Sequence, residues 1–170
     1  MNKIINGSIE SLDQMIGFIK SLTDETYKVA PKPLFDSSIG QHLRHILDVY
    51  MAIINGDDFE KVNYDIRRRG LALETMRTEG LMELKVVRHW LVTLDEASLT
   101  LATTVQTEVS VCSEQPAEMS SSIGRELCFA SSHLTHHLAI MAAVAKFLGH
   151  KVSAEVGVAP TTATFLRSQQ

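Results

Sequence analysis

The longest helical pattern in the chain runs from residue 123 to residue 148 and contains three of the seven histidines, His133, His136 and His137. Successive residues of an α-helix are rotated by about 100°, so His133 and His137 lie one turn apart on the same face. That spacing lets one helix offer two imidazole ligands to a single metal ion. The pattern therefore predicts a long helix with a pair of histidines that act together.

These two histidines lie on the apolar stripe of the predicted helix, and His136 falls at its edge. The apolar members of the stripe are Phe129, Ala130, Ile140, Met141, Val144, Phe147 and Leu148. Buried imidazoles need partners, because a polar group without one is costly away from water. Two interpretations remain open. A metal ion satisfies both rings at once, or both are core histidines bonded to Ser, Thr or backbone groups.

Composition limits the classes of function. The chain has 170 residues, 45% of them hydrophobic and 21% charged, with a net charge of −4. These values are ordinary for one globular domain and do not favour nucleic-acid binding.

No stretch reaches about 18 consecutive apolar residues, so no membrane association is expected. The N-terminus has no signal-peptide pattern, and Cys112 and Cys128 form no metal or disulfide motif, which favours a cytoplasmic location.

Helical periodicity recurs in residues 8–22, 39–55 and 81–97, with Asn6 or Ser8 as the cap of the first helix. Residues 64–69 are predicted to open the third helical region, with a break at Gly80. Residues 99–105 and 108–111 alternate and are rich in β-branched side chains. The prediction is an all-α fold over residues 1–170, a single domain. It is an antiparallel four-helix bundle with a short β-hairpin insertion before the last long helix.

Four segments resemble the DinB-like family of metal-binding four-helix bundles. They are residues 38–47, which contain Gln-His-Leu-Arg-His; His133 to Ile140; Tyr-Asp-Ile-Arg-Arg-Arg at residues 64–69; and Gly-Val-Ala-Pro-Thr at residues 157–161. The resemblance implies a three-histidine site for a divalent metal ion, with nickel, zinc or iron as candidates, and a homodimer. Matched by position, the ligands are His45, His133 and His137.

The choice of the third ligand is open on the sequence alone. In the second long helix the apolar stripe passes His42 at its edge, and His45 lies about 60° further round. Facing the core favours His42, whereas position within the motif favours His45. We choose His45, because a catalytic metal ion with an open coordination position faces a cleft. His42 and His136 are the alternates.

Several other residues are candidates for a role beside the metal. Glu126 lies two turns before His133 and could orient a ligand, act as a general base, or pair with an arginine. Arg67 and Arg69, with Tyr64, are candidates for an anion or substrate pocket, because guanidinium groups bind carboxylates well. The alternative for the arginines is a solvated face or a salt bridge to Glu126 or Asp65, and for Tyr64 it is packing.

Three functions compete at this point. The first is a metal-dependent enzyme acting on a small molecule, either a thiol-dependent transferase that uses a low-molecular-weight thiol, as the resemblance implies, or a hydrolase. The second is a bundle that binds metal or a small ligand without turnover. The third is a structural bundle whose histidines belong to the core. No nucleophile triad, phosphate loop or nucleotide fingerprint indicates another chemistry.

Overall fold

The computed structural model describes residues 2–56 and 59–169. Within them the fold is mostly helical, with six α-helices and one small three-stranded sheet. The helices are α1 (Lys3–Ser21), α2 (Asp24–Lys28), α3 (Ile39–Ile54), α4 (Arg77–Thr93), α5 (Ile123–Phe147) and α6 (Pro160–Ser168). The strands are β1 (Lys61–Asn63), β2 (Ala102–Glu108) and β3 (Pro116–Ser122).

The four long helices contact one another in a ring. Helix α1 packs against α4 and α5, and α3 packs against the same two helices. One contiguous hydrophobic cluster fills the space between them, and its fully buried members include Leu43 and Leu47 of α3 and Leu134 and Leu138 of α5. The apolar stripes of the two histidine-bearing helices therefore meet, and they bring the histidines of both helices to one side of their contact.

Helix starts follow local capping chemistry. The Ser38 side chain accepts a hydrogen bond from the backbone N–H of Gln41, whose side chain bonds back to Ser38, and this capping box starts α3. The Ser122 side chain caps α5 by accepting a hydrogen bond from the backbone N–H of Arg125. The predicted start of α1 is wrong: the helix begins at Lys3, because Asn2 caps it, and not at Asn6 or Ser8.

Two predictions about the third helical region are also wrong. Residues 64–69 are irregular, because their polar groups bond outside the segment: the Asp65 carboxylate accepts from the backbone N–H of Glu108, and the backbone N–H of Arg68 donates to Asp48. Gly80 is not a break but lies inside α4. A Cβ there would lie 2.5 Å from the Tyr27 hydroxyl oxygen, so glycine permits a close helix contact.

The sheet precedes α5 and differs from the predicted hairpin in its second strand. Strands β2 and β3 pair antiparallel with Val105 opposite Met119, and β1 adds in parallel on the other side of β2. Val109 and Val111, predicted to lie in the second strand, are exposed in the connection between β2 and β3. Strand β3 is an edge strand that ends in three consecutive serines, so it lacks the alternation of apolar and polar residues by which strands are recognised.

Helix α5 is long and rich in apolar residues, and the expectation that the chain does not associate with a membrane stays a prediction. Within the described residues it is the one helix long and apolar enough, by length and composition, to cross a membrane. A core helix of a soluble fold meets the same criteria, and 44% of its most apolar window is buried inside this fold.

Candidate metal centre

Three imidazoles from two helices converge in one place. His45 comes from α3, and His133 and His137 come from α5, with one ring nitrogen of each lying within 4.8 Å of the others. The Nε2 atoms of His45 and His133 are 2.9 Å apart. Ligands of a tetrahedral zinc ion at roughly 2.0–2.1 Å from the metal are separated by about 3.4 Å, so small side-chain adjustments suffice to fit an ion.

His42 lies beside this cluster and contacts a single member of it. Its Nδ1 atom is 3.1 Å from Nδ1 of His137, and it is not part of the three-histidine group. This contact leaves the other nitrogen of the His137 ring for another partner. A hydrogen bond of this kind fixes the orientation of a ligand imidazole.

The environment keeps the imidazoles neutral. Partial burial is the main cause that lowers the pKa of His45 to about 4 and of His137 to about 3. The pKa values of His42 and His133 are lowered in the same direction, again mainly by burial. Neutral imidazole is the form that ligates a metal ion. The donor set, its spacing and its protonation state therefore fit a divalent ion.

The cluster opens into a cavity of about 430 Å³. Its lining combines the histidines with other polar groups: Ser37, Gln41, His42, Arg44, His45, Arg69, Glu74 and His137. A site of three protein ligands beside open space is the arrangement of catalytic rather than structural zinc sites, since it leaves a coordination position for another molecule.

A larger cavity of about 710 Å³ lies between α1 and α5 and reaches the histidines only through His136. The His136 ring is exposed and its centroid is 5.3 Å from that of His137. The structure therefore places this alternate ligand on the opposite flank, outside the three-histidine group.

Glu126 lies in a separate polar cluster. Its buried carboxylate accepts hydrogen bonds from the hydroxyl of Tyr64 at 2.6 Å, the hydroxyl of Ser121 at 2.5 Å and the Nη1 atom of Arg125 at 3.3 Å. None of the contacts described for it joins it to the histidine cluster. The neighbouring arginine on its own helix supplies the ion pair, which spacing alone did not identify.

The structure separates the three residues that were predicted to form an anion pocket, namely Tyr64, Arg67 and Arg69. Arg69 lines the cavity beside the histidines, and Arg67 lies close enough to act electrostatically on His45 and His133. Tyr64 is buried under Phe129, with ring centroids 5.3 Å apart, and is not among the residues that line the cavity. Phe129 stacks in turn on His133, so Tyr64 supports the site through packing.

A mostly helical fold with a three-imidazole cluster open to a cavity defines a class of candidate metal-binding helical proteins. The family model of the DinB superfamily matches residues 10–141, a range that contains all three histidines. The chain belongs to the DinB superfamily, which confirms the resemblance inferred from the sequence motifs.

A curated protein, FK506-binding protein 5 of Rhizopus delemar, is 27% identical over 108 residues. The match covers 64% of this chain, and the chain spans only 28% of that protein. No solved structure matches this chain.

Proposed function

We propose that the chain is a divalent-metal-dependent enzyme acting on a small molecule, with His45, His133 and His137 as the metal ligands. The observation that carries this proposal is the convergence of three neutral imidazoles beside an open polar cavity. A divalent ion bound there would lower the pKa of a bound water or thiol and could polarise a carbonyl group. Zinc, nickel and iron all suit imidazole ligands, and availability commonly selects among them.

The reaction that we favour is transfer of a low-molecular-weight thiol to an electrophile, with hydrolysis as the variant that needs no thiol. Within the site, His42 orients His137 and the cavity wall receives the substrate. The same proposal includes four further features. The long helices form an antiparallel bundle, residues 1–170 form a single domain, and the protein is a homodimer in the cytoplasm.

Metal content of the untagged protein tests the centre. After incubation with zinc or nickel and desalting, elemental mass spectrometry is expected to find about one ion per chain in the wild type and almost none in His137→Ala. His136→Ala is the matched control, because it removes an exposed neighbouring imidazole outside the cluster, and it should keep the ion. Wild-type protein without metal after both incubations would overturn the proposal.

A thiol assay separates the two reactions. With glutathione or bacillithiol and an activated electrophile, a transferase forms a new carbon–sulfur bond and releases the leaving group, which mass spectrometry detects. A hydrolase releases product from an ester without any thiol. Each activity should disappear in His137→Ala and persist in His136→Ala.

A non-catalytic metal-binding or small-ligand-binding bundle is the second candidate, and one observation favours it. The Glu126 carboxylate, the sequence candidate for a general base, is engaged by three donors. This function predicts a metal content like that of the enzyme, without turnover of thiol or ester substrates.

A further inference from the structure

The segment after β1 carries three consecutive arginines, and among the described residues only the middle one, Arg68, belongs to a salt-bridge network. The Nε atom of Arg68 donates to Asp48 at 2.7 Å, and its Nη2 atom donates to Glu83 at 2.5 Å. This pairing anchors the segment to α3 and α4. Arg67 and Arg69, on either side, are exposed, and within the part of the chain that the structure describes neither has a hydrogen bond or an ion pair.

One of the two free arginines lies beside the histidine cluster. Arg69 lines the 430 Å³ cavity together with His42, His45 and His137. Arg67 is exposed and lies two residues before Arg69 on the same segment. The Arg69 guanidinium therefore lies beside the place where a divalent cation would bind, and the Arg67 charge is close to it along the chain.

The carboxylates near these arginines are already engaged. Arg44 pairs with Asp48 at 2.8 Å and with Glu74 at 2.9 Å, and Arg68 shares Asp48. Counted with Arg67 and Arg69, the group has four arginines and three carboxylates that form ion pairs, namely Asp48, Glu74 and Glu83. Asp65 of the same segment is bonded to the backbone N–H of Glu108. A divalent ion at the histidines adds two further positive charges. Like charges held this close repel each other, so an anionic ligand would stabilise the loaded site.

We propose that the cavity binds a small-molecule carboxylate, which the Arg69 guanidinium holds and which the positive charge of Arg67 attracts. Guanidinium binds a carboxylate through two parallel hydrogen bonds, which fixes orientation as well as position. The cavity volume suits a small molecule, whose remaining part extends toward the histidines. This inference deepens the proposed function and rests on it, because it takes the three histidines to be the metal centre.

Calorimetric titration with acetate, succinate and inorganic phosphate tests the inference at constant ionic strength, on metal-free and zinc-loaded protein. The variants are Arg69→Ala and Arg67→Ala, with Arg167→Ala as control, because Arg167 is an exposed arginine of α6 whose side chain, among the described residues, bonds to Thr164 and forms no ion pair. We expect at least one carboxylate to bind the zinc-loaded wild type, and Arg69→Ala to bind it about tenfold or more weakly, since a charge-assisted hydrogen bond is lost.

Arg67→Ala should weaken binding by about two- to threefold, because it removes a screened charge and no direct contact. Arg167→Ala should leave the affinity unchanged. Zinc content should be the same in all four proteins. Since Arg69 is exposed and unpaired among the described residues, its removal disturbs no core contact, and the metal-free protein should show the same ranking with weaker binding.

Three results would overturn the inference: equal affinity in wild type and Arg69→Ala, no carboxylate binding to the wild type, or tighter binding of phosphate than of either carboxylate. In each case an unchanged zinc content would leave the proposed metal centre standing. Loss of zinc binding by the wild type would instead refute the metal centre, and the titration of metal-free protein would still report on Arg69.

Discussion

Helix α5 carries two polar clusters that differ in how their groups are satisfied. At its first turn, the buried Glu126 carboxylate is surrounded by donors from the sheet end, from the segment after β1 and from α5 itself. Two turns further on, His133 and His137 face His45 of α3 and are only half-buried. Their nearest polar partners are other imidazoles, and the cluster opens into a cavity.

The difference separates a structural polar group from a functional one. A buried carboxylate that receives three hydrogen bonds is fully compensated and stabilises the junction between sheet and helix. Neutral imidazoles that face each other compete for the same protons, so some ring nitrogens keep a free lone pair. A free nitrogen lone pair is what coordinates a metal ion. Three predictions test this distinction, beginning with the largest expected effect.

Glu126→Ala should lower the free energy of unfolding by about 2–4 kcal/mol, because the buried Tyr64 hydroxyl and the Ser121 hydroxyl lose their acceptor. Urea denaturation of metal-free protein measures the change. Glu126→Gln keeps an acceptor and should lose less, and the exposed Glu114→Ala should stay within about 0.5 kcal/mol of the wild type. A Glu126→Ala protein of full stability that no longer binds zinc would place Glu126 in the metal centre instead.

His42→Ala should weaken zinc binding by about tenfold while about one ion per chain still binds at saturation, because the variant removes the hydrogen bond that orients His137. Competition with a chelator of known affinity measures the change. His89→Ala, which removes an exposed histidine of α4, is the control. Complete loss of zinc from His42→Ala would make His42 a ligand and reverse the choice between His42 and His45.

Acid should destabilise the metal-free protein through the histidine cluster. His45 and His137 have folded-state pKa values of about 4 and about 3, below the ordinary 6.5, so between these values the unfolded chain binds more protons. Stability is therefore greatest above pH 6.5 and falls as the pH approaches the folded-state values. Partial exposure of the rings reduces the effect, and we expect the melting temperature to fall by a few degrees between pH 7.5 and pH 5.5.

His137→Gln should reduce this acid sensitivity, because it removes one of the shifted groups, whereas His89→Gln should not change it. Scanning calorimetry across the pH range measures both variants. An identical pH profile in His137→Gln and the wild type would show that the cluster does not control the acid response.

Local patterns predicted part of the fold well. Helices α3 and α5 begin at residues 39 and 123, where the helical patterns begin, and Ser38 and Ser122 cap them, because capping depends on residues within one turn. The spacing of His133 and His137 likewise determines that they share a face. The third histidine came from the resemblance to the family, whose membership the family model confirms, and the structure brings His45 to the other two.

Tertiary structure decided what depends on distant partners. Residues 64–69 remain irregular because Asp65 and Arg68 bond to groups on β2 and α3, and no local pattern shows those bonds. The same holds for Glu126, whose donors Tyr64 and Ser121 lie on separate segments. The sequence by itself indicated where the four long helices lie, although not all of their ends, and it determined the histidine face. Only packing decided which imidazoles meet and which arginines stay free, because those contacts join residues far apart along the chain.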